Sequence, residues 1–193
     1  MITIRQERPV DQSAREALLD AAYGEVRHAK PSARLRRGRL PADGLALVAV
    51  ERGRILGSVR LWHVGAPRNA PALLLGPLAV HPDARRRGIG ATLVRRALDE
   101  AKRLGHGAVL LVGDAAYYAR FGFTTEKTSR LSLPGADPAR LLALELVPGA
   151  LDAAQGRLAA SGQREPIPAL AAFKSRSLPR AAARGAHLIP RAA

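Results

Sequence analysis

The sequence of 193 residues contains no cysteine. This absence excludes disulfide bonds, thiolate catalysis and zinc sites built on cysteine, and it makes the cytoplasm the expected compartment. No segment approaches the roughly 20 uninterrupted apolar residues that a membrane span requires. Residues 1–9 are polar and charged, without the apolar core of a signal peptide. The sequence therefore predicts a cytoplasmic protein that does not insert into membranes.

Aromatic residues and lysines are scarce. The chain has three Phe, three Tyr and one Trp, and nearly all of its 31 basic residues are arginines. The formal net charge of +15 would attract nucleic acid or another acidic partner. Few aromatic side chains are available to stack on bases, and a GC-rich genome also produces an arginine-rich composition. Nucleic-acid binding is therefore the disfavoured alternative, and it stays open.

Hydrophobic periodicity predicts strands that alternate with helices. The predicted strands are residues 1–7, 45–51, 55–64, 72–80, 108–112 and 141–147, and the main predicted helices are residues 11–24, 90–105 and 114–121. Gly76 and Pro77 interrupt the strand at 72–80, and proline inside a strand marks an edge or a bulge. This order predicts an α/β protein with a mixed sheet, in which the glycine-rich segment after residue 80 lies near the middle.

The most informative segment is residues 78–91, which read Leu-Ala-Val-His-Pro-Asp-Ala-Arg-Arg-Arg-Gly-Ile-Gly-Ala. A strand, a basic loop and a helix N-terminus bring backbone N–H groups and positive charge to one point, as a pyrophosphate requires. Leu93 stands where a dinucleotide fingerprint has its third glycine, and no lysine follows as in a P-loop. A plain loop between strand and helix is the alternative.

The pattern Arg85-x-x-Gly88-x-Gly90 after a Leu-Ala-Val strand resembles the acetyl-CoA motif of the GNAT N-acetyltransferases. A second element, residues 117–123 (Tyr-Tyr-Ala-Arg-Phe-Gly-Phe), resembles the Leu-Tyr-x-x-x-Gly-Phe element of the same family. The two elements together are similar to the YhbS-like branch. The resemblance covers roughly residues 1–152. It implies a GNAT fold, which is a mostly antiparallel mixed sheet flanked by helices, with its fourth and fifth strands splayed apart.

The resemblance also implies acetyl-CoA as a co-substrate and no metal. The backbone of residues 78–80 would pair with the pantetheine amides, and the N–H groups of residues 86–91 would hold the pyrophosphate with help from the arginines. The implied cofactor-binding residues are Leu78, Ala79, Val80, Arg85, Arg86, Arg87, Gly88, Ile89, Gly90 and Ala91.

Tyr118 stands four residues before Gly122 and matches the family's tyrosine position. The resemblance implies that it protonates the departing CoA thiolate, and a phenol with a pKa near 10 carries the required proton at pH 7. Tyr117 is predicted to pack. Asp114 stands where many relatives have asparagine, and it is predicted to cap the short helix.

The expected reaction is acetyl transfer from acetyl-CoA to a primary amine of a small molecule or a protein. The base that takes the amine proton is not identified: Glu51 and His63 are the nearest candidates in the strand region, and both are expected to be structural. Residues 27–39 hold seven basic residues and no acid. This stretch is either a solvated helix face or a wall of the acceptor site that favours an anionic substrate.

The expected domain is residues 1–152, followed by a flexible tail rich in Ala, Pro and Arg at residues 153–193. The acceptor is not identified. Many family members dimerise through their last strands, so a homodimer stays open. Two alternative functions on the same fold stay open as well: a basic protein associated with nucleic acid or ribosomes, and an acyl-CoA sensor without catalysis.

Overall fold

The computed structural model describes residues 1–67 and 70–166. The strands are β1 (Thr3–Gln6), β2 (Ala46–Glu51), β3 (Arg54–Ala66), β4 (Ala70–Val80), β5 (Ala108–Val112), β6 (Leu131–Ser132), β7 (Leu141–Glu145), β8 (Gly156–Arg157) and β9 (Ala159–Ala160). The α-helices are α1 (Gln12–Tyr23), α2 (Ile89–Arg103) and α3 (Ala115–Tyr118), and 3-10 turns at Glu25–His28 and Pro31–Leu35 follow α1. No helix in these residues is both long and apolar enough to cross a bilayer.

The main sheet has the strand order β1-β2-β3-β4-β5-β7, and β9 pairs with β3 outside this path. The β4–β5 pair is parallel and the other pairs are antiparallel. Helix α2 lies in the connection between β4 and β5, because parallel neighbours need a long crossover. The predicted mixed, mostly antiparallel sheet flanked by helices is confirmed.

Strand β4 carries a bulge. Val59 pairs with Leu78 and Leu61 pairs with Leu75, so Gly76 and Pro77 together face a single residue of β3. The bulge lies where the proline predicted an interruption, because proline has no N–H to donate to the ladder.

Beyond the bulge, β4 leaves β5. The two strands pair only at Leu73 with Val109 and at Leu74 with Leu110, although β4 runs on to Val80. The C-terminal half of β4 therefore has a free edge toward β5, and the predicted splay of these two strands is confirmed.

Helix α2 packs very closely on β3. A Cβ atom at Gly57 would lie 2.9 Å from both Ile89 Cγ2 and Leu93 Cδ1, so glycine is what allows this approach. The apolar face of α2 is buried in the same core as the inner side chains of β2, β3 and β4. This packing places the first turn of α2 next to the free edge of β4.

A buried ion cluster joins α1 to the sheet. Glu7 accepts hydrogen bonds from Arg15 Nε on α1 and from Arg60 Nε on β3, both at 2.8 Å. The side chains of Glu7 and Arg15 are 6% and 7% exposed. Buried charges of this kind are tolerated only because they neutralise one another.

The predicted boundary between the domain and a flexible tail, after residue 152, lies too early in the chain. Ala154 and Leu158 are buried, β9 pairs with β3 at Val64 and Gly65, and β8 pairs with β6. Strands of two residues are too short to show a hydrophobic periodicity, so this packing was not predictable from the sequence. The predicted tail residues 167–193 lie outside the described residues.

Replacing Glu7 by glutamine is expected to lower the free energy of unfolding by about 3 kcal/mol, because the partly buried Arg60 then loses its counter-charge and the buried Arg15 keeps only its pair with Glu16. Urea denaturation measures the change. Glu126→Gln, at an exposed glutamate with no ion pair in the described part of the chain, is the matched control. An equally small change in both variants would contradict the proposed role of the cluster.

Candidate active site

A cavity of about 430 Å³ opens beside the bulge of β4. Its walls come from α1, from the two 3-10 turns that follow it, from β3 and β4, and from the end of β5 with α3. The lining residues are Gln12, Arg15, Glu16, Leu19, Tyr23, Arg27, His28, Lys30, Ser32, Ala33, Arg36, Arg37, Arg60, Trp62, Leu75, Gly76, Pro77, Leu78, Val112, Tyr118 and Glu165.

Trp62 holds the bulge in place. Its indole N–H donates a hydrogen bond to the carbonyl oxygen of Gly76 at 2.6 Å, and the side chain is buried. The bond replaces a ladder partner that Gly76 lost at the bulge, and buried carbonyls need such a partner. The sequence analysis missed this role of Trp62.

Tyr118 lies in the cavity wall, close to the backbone of Gly113. A Cβ atom at Gly113 would lie 2.4 Å from Tyr118 Cε2, so only glycine leaves room for the ring. The Asp114 carboxylate accepts a hydrogen bond from the Tyr117 N–H at 2.8 Å, as predicted for a helix cap.

Burial raises the pKa of Tyr118, and the neighbouring Tyr23 and Tyr117 add to the increase. The phenol therefore keeps its proton at neutral pH. Its ring packs edge-on against Tyr117 and Phe123, with centroid distances of 5.0 and 5.8 Å. Within the described residues its hydroxyl has no hydrogen-bond partner, so the proton is available to a ligand in the cavity.

Tyr23, at the end of α1, is a site residue that the sequence analysis missed. Its hydroxyl donates a hydrogen bond to the carbonyl oxygen of Leu78. Lys30 Nζ lies 4.0 Å from the centroid of its ring. Burial raises the pKa of Tyr23, and the positive charges of Arg36 and Arg85 oppose the increase.

The predicted pantetheine-binding strand, residues 78–80, has a free edge. The His81 N–H donates to the Leu56 carbonyl oxygen at 2.8 Å, so Ala79 also faces β3 in the alternating ladder. Leu78 and Val80 therefore direct their N–H and C=O groups toward the gap between β4 and β5. The Tyr23 hydroxyl already donates a hydrogen bond to the carbonyl oxygen of Leu78. The N–H of Leu78 remains directed into the gap.

The predicted phosphate loop ends at the N-terminus of α2. The first hydrogen bond of this helix runs from the Thr92 N–H to the Gly88 carbonyl at 3.0 Å. The N–H groups of Ile89, Gly90 and Ala91 precede it and are free to bind an anion. Gly88 has a φ of 75°, a left-handed conformation that favours glycine.

Gly90 lies between the Tyr117 hydroxyl and the side chain of Val80 on β4. A Cβ atom at this position would lie 3.4 Å from the Tyr117 hydroxyl and 3.5 Å from Val80 Cγ2. Tyr117 thus lies over the start of α2, in addition to packing against Tyr118. The start of α2 thus adjoins the free edge of β4 at Val80, and Leu78 on the same edge lines the cavity together with Tyr118.

The three arginines of the loop differ in their surroundings. Arg87 donates to Glu51 at 2.7 and 3.1 Å, and its hydrogen bond lowers the pKa of Glu51. Arg85 and Arg86 are exposed and make no ion pair within the described residues. Two of the three guanidinium groups are therefore free to bind phosphate.

The two base candidates from the sequence lie outside the cavity lining. Glu51 is paired with Arg87, and the His63 ring packs beside that of His106 at 5.4 Å between centroids. The titratable acceptors that do line the cavity are Glu16, His28 and Glu165. In the part of the chain that the structure describes, no group of three His, Cys, Asp or Glu side chains is arranged to hold a metal ion.

Replacing Gly113 by alanine is expected to displace the Tyr118 ring, because the new methyl group would overlap it. Overpacking of this kind costs about 1–3 kcal/mol of the free energy of unfolding. Chemical denaturation and a crystal structure of the variant measure both effects. Gly65→Ala is the matched control, since its Cβ would meet nothing closer than 3.7 Å. An unmoved ring in Gly113→Ala would refute the close contact.

Comparisons with known proteins agree with this geometry. Residues 42–125 match the acetyltransferase (GNAT) domain family. The chain is 33% identical over 121 residues to the uncharacterised N-acetyltransferase YhbS of Escherichia coli strain K12, and the match covers 62% of this chain and 72% of YhbS.

Two solved structures are similar over most of the chain. The complex of Escherichia coli YhbS with CoA has a TM-score of 0.70 at 30% identity and covers 83% of this chain and 89% of YhbS. A GNAT acetyltransferase from Brucella melitensis in complex with acetyl-CoA has a TM-score of 0.64 at 28% identity and covers 83% and 96%. With its splayed β4 and β5 and its glycine-rich loop at the start of α2, the chain belongs to the GNAT family of N-acetyltransferases.

Proposed function

We propose that the protein transfers the acetyl group of acetyl-CoA to a primary amine. The observation that carries this proposal is the path from the N-terminus of α2, along the free edge of β4, to Tyr118 in the cavity. The relatives support the co-substrate, because YhbS binds CoA and the Brucella protein binds acetyl-CoA.

The residues along the path fit each part of acetyl-CoA. The N–H groups of Ile89, Gly90 and Ala91 and the positive end of the helix dipole suit the pyrophosphate, with the side chains of Arg85 and Arg86 nearby. The outward N–H and C=O groups of Val80 suit the pantetheine amides, which would add to β4 as a strand does. The thioester would then lie at the bulge, beside Tyr118.

Acetyl transfer forms a C–N bond and breaks the C–S bond of the thioester. The amine must attack in its neutral form, and its nitrogen loses a proton as the amide forms. The departing thiolate gains a proton, so that an amine and acetyl-CoA give an N-acetyl amine and CoA. The free N–H of Leu78 faces the gap where the thioester carbonyl would lie, and it can stabilise the negative charge that develops on that oxygen.

Tyr118 is the tyrosine best placed to protonate the thiolate. The chain has three tyrosines. The Tyr23 hydroxyl donates a hydrogen bond to the Leu78 carbonyl oxygen, and the Tyr117 hydroxyl lies at the start of α2. Tyr118 lines the cavity, its pKa is raised, and its hydroxyl has no hydrogen-bond partner in the part of the chain that the structure describes. A titratable group in the cavity lining would accept the proton that the amine loses. Glu16 is less suited to this role, because it is paired with Arg27 at 2.6 Å. His28 and Glu165 are the remaining acceptors in the lining described above.

Replacing Gly90 by glutamate is expected to abolish acetyl-CoA binding, because a side chain and a negative charge enter the phosphate site. Isothermal titration calorimetry measures the loss. Val147→Glu is the charge-matched control: Val147 is exposed and its N–H bonds to Gly107, at the opposite end of α2. Equal affinity in Gly90→Glu and in the control would place the cofactor elsewhere.

Replacing Tyr118 by phenylalanine is expected to lower kcat by about 100-fold or more, the typical contribution of a general acid, with an unchanged Kd for acetyl-CoA. A thiol reagent measures the CoA released with an amine that the wild type acetylates, and the absence of cysteine removes any background from the protein. Tyr117→Phe is the matched control. If kcat is the same in Tyr118→Phe and in the wild type, Tyr118 is not the acid.

A further inference from the structure

The cavity wall carries more positive than negative charge. Two acids line it, Glu16 and Glu165, and Glu165 is exposed. The lining cations are Arg15, Arg27, Lys30, Arg36, Arg37 and Arg60. This excess of positive charge lies beside the bulge at Gly76 and Pro77, which lines the same cavity.

Half of these cations are already neutralised by carboxylates. Arg15 and Arg60 share Glu7, and Arg27 pairs with Glu16 at 2.6 Å and with Asp20 at 2.8 Å. These groups brace α1 and the turn after it, and their charges are not available to a ligand.

Arg36 is different, because its side chain has no carboxylate or other hydrogen-bond partner among residues 1–67 and 70–166. It is partly buried, and burial lowers its pKa to about 10, so it still carries its charge at pH 7. A buried guanidinium without a counter-charge is unfavourable, and an anion that enters the cavity relieves this cost.

The position of Arg36 links it to the reaction centre. Its Nη1 atom lies 3.8 Å from the place of a Cβ atom at Gly76, in the bulge. Lys30 and Arg37, the other lining cations without an ion pair among the described residues, are both exposed. Lys30 Nζ lies 4.0 Å from the centroid of the Tyr23 ring. Burial lowers the pKa of Lys30, with further contributions from the charges of Arg36 and Arg140. Two cations thus flank the segment against which the amine would react.

We propose that the acceptor is a small amine that carries an anionic group, a carboxylate or a phosphate, and that Arg36 binds this group with support from Lys30. This inference rests on the proposed acetyl transfer. A guanidinium binds such oxyanions through two parallel hydrogen bonds, which fixes the orientation of the substrate as well as its charge. A cavity of about 430 Å³ is within the size range of small-molecule sites.

For residues 27–39, the sequence left open whether the basic side chains form a solvated face or a wall of the acceptor site. The positions of Arg36 and Lys30 favour the acceptor wall. Arg36 and Lys30 line the cavity, whereas Arg34 does not. Arg34 lies in the same 3-10 turn region and offers a matched control for Arg36.

The test compares small amino acids with their amides and with aminoalkyl phosphonates as acceptors, using wild type, Arg36→Gln, Arg36→Lys and Arg34→Gln. The wild type should prefer the anionic amines. In Arg36→Gln the ratio of kcat/KM for an acid to that for its amide should fall by about 10- to 100-fold, the effect of one hydrogen-bonded charge. Arg36→Lys should keep part of the ratio, and Arg34→Gln should keep all of it. The phosphonates show which anion is preferred.

The outcomes separate this inference from the proposed function. If acetyl-CoA does not bind to the wild type, the proposed function fails. If acetyl-CoA binds and amides are acetylated as well as acids, the function stands and the inference is wrong. Acetyl-CoA binding without acetylation of any amine in the panel also overturns it. If Arg36→Gln weakens acetyl-CoA binding itself, measured by calorimetry on folded protein, Arg36 serves the cofactor instead.

Discussion

The site depends on the hydrogen bond from the Trp62 indole to the Gly76 carbonyl. This bond stabilises a bulge at Gly76 and Pro77, and the bulge turns β4 away from β5. In a regular sheet, the groups of Leu78 and Val80 would pair with β5. Because the strands separate, one edge of β4 is free to bind an extended ligand, and the gap beside it becomes the cavity. The free edge proposed to bind the cofactor and the cavity proposed to bind the acceptor thus both arise from one irregularity in the sheet.

Charge has two separate roles in this protein. The chain has 31 basic and 16 acidic residues, so carboxylates are the limiting partner. Glu7 is placed in the interior, where it neutralises two arginines that join α1 to β3. Arg36 receives no such partner from residues 1–67 and 70–166. Arg15 and Arg60 are neutralised at this cavity, whereas Arg36 beside the bulge has no counter-charge within the described residues. Arg36 is therefore the cation that we propose binds the substrate.

The local features of the site were predictable from the sequence, and the long-range contacts were not. Pro77 predicts the bulge because proline lacks an N–H, and Asp114 predicts a helix cap because its carboxylate reaches the next turn. The bond from Tyr23 to Leu78 joins residues 55 positions apart, and no local pattern encodes it. The need for glycine at 113 depends on where the Tyr118 ring lies. Residues 154–160 pack against the domain because β8 and β9 pair with strands that are distant in the sequence.

The most direct test of this account is a crystal structure of the protein with CoA and a small amino acid. The account predicts the pantetheine along the free edge of β4, the sulfur atom within hydrogen-bonding distance of the Tyr118 hydroxyl, and the carboxylate on Arg36. A CoA sulfur that points away from Tyr118 and from the cavity would contradict the claim that the splay of β4 and β5 builds a single site.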